Sequence, residues 1–191
     1  ASPLSQGVDR VRALADAGVG AIVMYSLFEE EVHREQLRDL MVSEAHEGAF
    51  GEALSYFPNV PSAQTGGATH YLRLLEQAAH AVDVPVIASL NGTTSGGWLD
   101  YASRLVEAGA DAIELNVYDV ITEPRVTGVD VEDRIIDLVR SVRSEVSVPI
   151  AVKLGPWFSA LANMASKLAE AGADGLVLFN RLYQPDIDLD G

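Results

Sequence analysis

Lys153 lies near the end of the apolar run Pro149 to Leu154, and three asparagines, Asn91, Asn116 and Asn180, stand at the ends of three other runs of the same kind. An amide carries both a donor and an acceptor. Asparagines gathered at one place can therefore read the edge of a planar heterocycle with amide-like groups, while a lysine holds an anionic locus. A flavin, an orotate-like ring, or both match that chemistry. Other polar residues share these run ends: Tyr25 with Ser26, Ser89, Glu114 and Arg181, with Ser2 near the beginning of the chain. Taken singly, each asparagine also suits a turn or cap, and the lysine suits a side chain reaching from a strand end into water. Three asparagines in equivalent positions, and a lysine flanked by Val152 and Leu154, argue instead for one shared pocket.

The elements that must gather these residues are written as a repeat. The phrase Ala-Gly-x-x followed by an apolar run occurs in DAGVGAIVMY (16–25), EAGADAIELN (107–116) and EAGADGLVLFN (170–180). Gly18, Gly109 and Gly172 follow the amphipathic stretches Val8 to Ala17, Leu99 to Ala108 and Ser159 to Ala171, where a helix end calls for positive φ. A second phrase, VDVPVIASLN (82–91) and VSVPIAVKL (146–154), is interleaved with the later two. The runs are short, continuous and apolar, as in parallel strands covered on both faces. Strands are predicted at Gly20 to Tyr25, Pro85 to Asn91, Ala112 to Val117, Pro149 to Leu154 and Gly175 to Asn180. Helices alternating with such strands form either an open doubly wound sheet or a closed (β/α)8 TIM barrel. Repetition without a change of pattern favours the barrel, where the C-terminal strand tips converge on one pocket.

Such barrels typically take about 250 residues, and this chain has 191. It begins Ala1-Ser2-Pro3-Leu4-Ser5, without Met, in what reads as the tail of a strand, and it ends just beyond another. The expectation is a single partial barrel domain over residues 1–191, truncated at both ends. It would hold about strands 1 to 6, with the last strands and their usual phosphate site missing. Residues 43–67 form a long insert rich in Gly and Pro, with Tyr56 and Phe57 suited to a flap or to packing on the barrel rim.

Composition narrows the function. Hydrophobic residues make up 48% and charged residues 21%, as in a soluble globular domain, and no apolar run approaches the roughly 20 residues of a membrane span. A net charge of −15 argues against nucleic-acid or anionic-lipid partners, which need basic patches. A small-molecule substrate is the expected partner, a homo-oligomer is allowed, and a cytoplasmic location is expected. The absence of Cys excludes disulfides, a thiol nucleophile and Cys-ligated clusters within this span. His33, His46, His70 and His80 show no ligand pairing, so no metal is expected. Thr93 to Gly97 is Gly-rich but lacks the spacing of nucleotide-binding loops, and Glu29 to Glu31 reads as a helix start.

The stretches ASPLS, SLFEEE, EALSYFP, PVIASLNGTTSGGW, EAGADAIELNVY, VPIAVKLGPW and GLVLFNRLYQPDIDLD resemble the dihydroorotate dehydrogenase family of FMN-dependent barrels, in particular its dihydroorotate dehydrogenase-like branch. The resemblance runs in order across nearly the whole chain. It implies an FMN-dependent dehydrogenase acting on CH–CH bonds in pyrimidine biosynthesis. FMN would lie over the strand tips, contacted by Ala1, Ser2, Tyr25, Ser26, Asn91, Asn116 and Lys153, with substrate contacts from Asn59, Asn116 and Asn180. In that family flavin N5 accepts hydride from C6 of dihydroorotate while a side chain on the loop after the Asn116 strand removes the C5 proton. Lys153 would face flavin N1 and O2, where its charge stabilises the reduced ring.

Two departures stand out. The family's loop reads Asn-x-Ser-Cys/Ser-Pro-Asn, whereas this chain has Asn116-Val117-Tyr118-Asp119-Val120-Ile121. The base position falls on Asp119, beside Tyr118 as a candidate acid; a turn carboxylate is the structural alternative. The family's lysine before Ser26 is replaced by Tyr25, which can stack or hydrogen-bond but brings no charge. Two other readings stay open: an aldolase-like barrel with Lys153 as a Schiff-base nucleophile, and a non-catalytic flavin-binding paralogue.

Overall fold

The computed structural model describes residues 3–28, 67–91, 95–117 and 121–180. The predicted flap, Asn59, Ala1, Ser2, Tyr118, Asp119 and Arg181 lie outside them. Five strands, β1 (Ile22–Phe28), β2 (Val86–Asn91), β3 (Ala112–Val117), β4 (Ile150–Leu154) and β5 (Gly175–Leu178), alternate with helices α1 (Val8–Asp16), α2 (Ala68–Ala81), α3 (Ser95–Glu107), α4 (Gly128–Glu145) and α5 (Leu161–Glu170). The strands form one parallel sheet in the order β1-β2-β3-β4-β5, and successive helices pack on one another. A doubly wound sheet reverses its strand order at a switch point. Strictly sequential order is barrel order, so the fold is a (β/α) TIM barrel present in part. Pro3–Ser5 form a single 3-10 turn with Ser5 buried, in place of the strand tail expected at the start of the chain.

The repeat phrases perform the work expected of them. Gly18, Gly109 and Gly172 have φ of 85°, 93° and 107°, which lets each chain segment leave its helix and enter the sheet within a few residues. In the second and third repeats an aspartate adds a clasp. Asp111 accepts the Val86 N–H at 2.8 Å while its own N–H donates to the Val86 carbonyl, and Asp174 does the same with Ile150. These clasps tie the N-terminal ends of β2 and β4 to the strands that follow. At Asp174 the lock is doubled by Arg143, which donates to the carboxylate at 3.0 Å and to the Val146 and Val148 carbonyls at 2.6 Å each. Helix α4 opens with a capping box, Thr127 and Asp130 each holding the other's backbone N–H. The Thr127 side-chain hydrogen bond holds the Asp130 carboxyl below its ordinary pKa.

The apolar core fills one side of the sheet. Val86, Ala88, Leu90, Ile113, Leu115, Ile150, Val152 and Leu154 are buried with Leu75, Ala78, Leu105, Val139, Val142 and Leu168 of the helices. The opposite face turns polar toward the strand tips. Apart from Ser5, the buried polar side chains among the described residues are Ser26, Ser89, Glu114, Asn116 and Lys153, and cross-strand register puts them on this face. The strands are therefore less uniformly apolar than expected: the helix side is hydrocarbon and the inner side carries the chemistry.

Candidate active site at the strand tips

The inner face is organised around Glu114. Its Oε1 accepts the Lys153 ammonium at 2.5 Å and the Ser89 hydroxyl at 2.9 Å. The single hydroxyl proton of Ser89 is committed to that carboxylate, so the 2.9 Å contact between Ser26 and Ser89 must be donated by Ser26. The result is a directional chain, Ser26 to Ser89 to Glu114, closed by Lys153, crossing four neighbouring strands. Glu114 is 3% exposed and Lys153 8%. Ions removed from water to this degree persist only when paired and hydrogen-bonded, and here both conditions hold.

One layer nearer the tips, Asn116 lies in register with Lys153. Its Oδ1 accepts a 2.7 Å hydrogen bond from Asn180 Nδ2. Asn180 is placed by its own N–H, which donates to the Leu154 carbonyl at the end of β4. Among the described residues Asn116 Nδ2 and Asn180 Oδ1 have no further partner, and strand register puts the pair next to Lys153. That set of groups suits a planar ring that alternates carbonyl and N–H and gathers negative charge at one edge. Asn91 ends β2 on this same face, in register with Phe28.

Ser26 reaches the inner face through an irregularity. Between Val23 and Ser26 the register with β2 shifts, the mark of a bulge that re-aims the side chains beyond it. Tyr71 of α2 occupies the interruption: its hydroxyl accepts the Ser89 N–H at 3.1 Å and donates to the Ser89 carbonyl at 3.4 Å. Burial pushes the Tyr71 phenol well above the ordinary tyrosine pKa. Tyr25 turns its ring to Tyr71, edge-on with centroids 4.9 Å apart.

Of the residues singled out from sequence, Ser26, Asn116, Lys153 and Asn180 thus come together, and Asn91 shares their face. Asp119, Asn59, Ala1 and Ser2 lie outside the described residues. Sequence reasoning placed Ser89 and Glu114 at the tips without giving them a role, and it passed over Tyr71. Glu114 carried a usable signal, since it lies two residues before Asn116 and so on the same face of one strand. Tyr71 offered none, because an aromatic on an amphipathic helix is ordinary core. Among the described residues no cluster of His, Asp and Glu could hold a metal, and no helix is long and apolar enough to cross a membrane.

The fold is part of a parallel βα barrel with charged and amide side chains clustered at its strand tips, and similarity to solved structures agrees at the level of fold. A phosphonopyruvate hydrolase solved with oxalate and Mg++ superposes with a TM-score of 0.55 at 18% identity, covering 95% of this chain and 58% of that one. A dihydrodipicolinate synthase gives 0.50 at 16% identity, covering 87% and 46%. No family model matches the chain.

Sequence relatives are more specific. The chain is 36% identical over 122 residues to a protein of Aeropyrum pernix named "Putative dihydroorotate dehydrogenase A (fumarate)", covering 61% of this chain and 38% of the relative. It is 36% identical over 129 residues to the dihydroorotate dehydrogenase B (NAD(+)) catalytic subunit of Listeria welshimeri (63% and 39%), and 33% identical over 109 residues to that of Anoxybacillus flavithermus (56% and 35%). These similarities relate the chain to the dihydroorotate dehydrogenases over about three fifths of its length, while it spans under two fifths of the length of these relatives.

Proposed function

We propose that the protein is an FMN-dependent oxidoreductase of the dihydroorotate dehydrogenase type, acting on a CH–CH bond of a dihydropyrimidine-like substrate. The observation that carries this reading is the buried Lys153 ammonium beside the Asn116–Asn180 amide pair, in a chain related to proteins named dihydroorotate dehydrogenase. When bound, FMN would supply the hydride acceptor, chemistry that no side chain provides. The donor set fits such a ring. Lys153 offers positive charge to the edge that becomes anionic on reduction, Asn116 offers an amide donor, and Ser26 and Asn91 line the same face, with Ala1, Ser2 and Tyr25 as further proposed contacts. Asn180 and Asn116, with Asn59, would orient the substrate. Asp119 is proposed to take the substrate proton, a role general-base catalysis assigns to a carboxylate within reach of the C–H.

The Schiff-base alternative is disfavoured by one contact. A nucleophilic amine needs its lone pair, whereas the Lys153 nitrogen donates to a carboxylate as an ammonium. The deciding experiment is the visible spectrum of the full-length protein, followed by anaerobic addition of dihydroorotate. Flavin absorption that bleaches on addition is the expected result. Flavin absorption without bleaching would leave a flavin-binding paralogue or a different substrate. A colourless protein that cannot be reconstituted with FMN overturns the proposal.

A further inference from the structure

We infer that Glu114 is a positioning residue for Lys153 that also offsets its charge, so that a flavin at the strand tips is reduced at a lower potential than Lys153 alone would impose. The inference rests on the flavin reading above and concerns a residue to which that reading gives no part. A cation at the tip of β4 requires no carboxylate on the neighbouring strand; strands of this kind are ordinarily filled with apolar or neutral side chains. Glu114 nevertheless lies within Ala112–Val117, 3% exposed. Burying it there carries a desolvation cost that only close pairing repays.

Two features give the carboxylate its function. The same oxygen, Oε1, takes both the Lys153 and the Ser89 hydrogen bonds, and Ser89 is itself held by Ser26 and by the Tyr71 hydroxyl on its backbone. The carboxylate is thus anchored from β1, β2 and α2, and it fixes an otherwise flexible lysine stem in one place. Its charge also makes the Lys153 site an ion pair. The field of a pair falls off faster with distance than that of a lone cation, so a ring over the tips feels a reduced positive potential in a poorly screened pocket.

The test compares full-length wild-type protein with E114Q and E114D, all loaded with FMN, by the midpoint potential and by sulfite affinity. E114Q removes the charge and keeps the shape; binding of reduced over oxidised FMN is expected to improve about tenfold, a rise of about 30 mV for a two-electron couple. E114D keeps the charge but draws it back by one methylene, and a smaller rise is expected; if E114Q does not fold, this variant decides. Lost positioning alone predicts the opposite sign, since a loosened Lys153 would lower the potential; the inference requires that removal of the offsetting charge outweigh it. A fall or no change in a variant that still binds FMN therefore overturns the inference and leaves the flavin reading standing. Wild-type protein that takes up no FMN removes both.

Discussion

Lys153 and Tyr71 show how differently two buried polar residues can serve one site. Lys153 supplies charge, and on the proposed reading K153M, which also costs stability because it leaves the Glu114 carboxylate buried without its cation, should slow flavin reduction by substrate about 10²-fold, as loss of one preorganised electrostatic group does. D119N should slow the same half-reaction by about 10²–10⁴-fold, the span of general-base contributions. Stopped-flow anaerobic reduction reads both, and an unaffected rate in either variant dismisses that residue's role. Tyr71 works through the backbone. Y71F strips Ser89 of a hydrogen-bond partner on both its N–H and its carbonyl, which should cost about 1–3 kcal/mol in denaturant unfolding. The phenol also predicts a pH dependence. Its folded pKa is raised by burial, so its contribution to stability is complete below the unfolded tyrosine value of about 10 and is lost as pH climbs above it. The alkaline decline should be shallower in Y71F; equal slopes would show that Tyr71 is not the group responsible.

At the scale of elements, the same glycine position meets different neighbours in each repeat. A Cβ at Gly18 touches nothing within 4 Å, one at Gly109 lies 3.2 Å from the Ala79 methyl, and one at Gly172 falls 2.6 Å from Arg143 Cγ. All three have positive φ, so alanine adds about 1–2 kcal/mol of left-handed strain everywhere. G172A must in addition displace the arginine that clasps Asp174 and two carbonyls. Urea unfolding should therefore rank G172A clearly below G18A in stability, and equal losses would mean that the Arg143 clasp contributes little. The glycines were plain from the repeat, and the five strands fall within a few residues of their predicted limits. The reason is physical: helix termination and a parallel-strand run are local properties of chain and hydropathy. The doubled clasp at Asp174 was not plain, because it joins residues 31 apart.

For the whole molecule, the sheet has two one-sided margins: among the described residues β1 pairs only with β2, and β5 only with β4. Phe28 and Leu178, at the tips of these outer strands, are 43% and 51% exposed. Unpaired strand edges beside apolar side chains promote association. The 191-residue chain on its own is expected to self-associate, seen as concentration-dependent sedimentation. A well-folded monomer across the accessible range would show that the margins are protected. Length bears on chemistry as well: the chain spans under two fifths of the length of the curated relatives it matches, so activity is to be measured and not carried over from them.

The amino-acid sequence by itself determined the alternation of helix and strand and favoured the barrel, and it put Ser26, Asn91, Asn116 and Lys153 at strand ends, since each is written in local spacing and in a repeat; the sequential strand order came from the sheet pairing. Only the tertiary structure decided which of those residues act together. The bulge that turns Ser26 inward, the Tyr71 hydroxyl filling the interruption and the Glu114 carboxylate shared by Ser89 and Lys153 depend on register between strands and on how the preceding helix packs against them. Such contacts join residues 18 to 63 positions apart, and no local pattern encodes them.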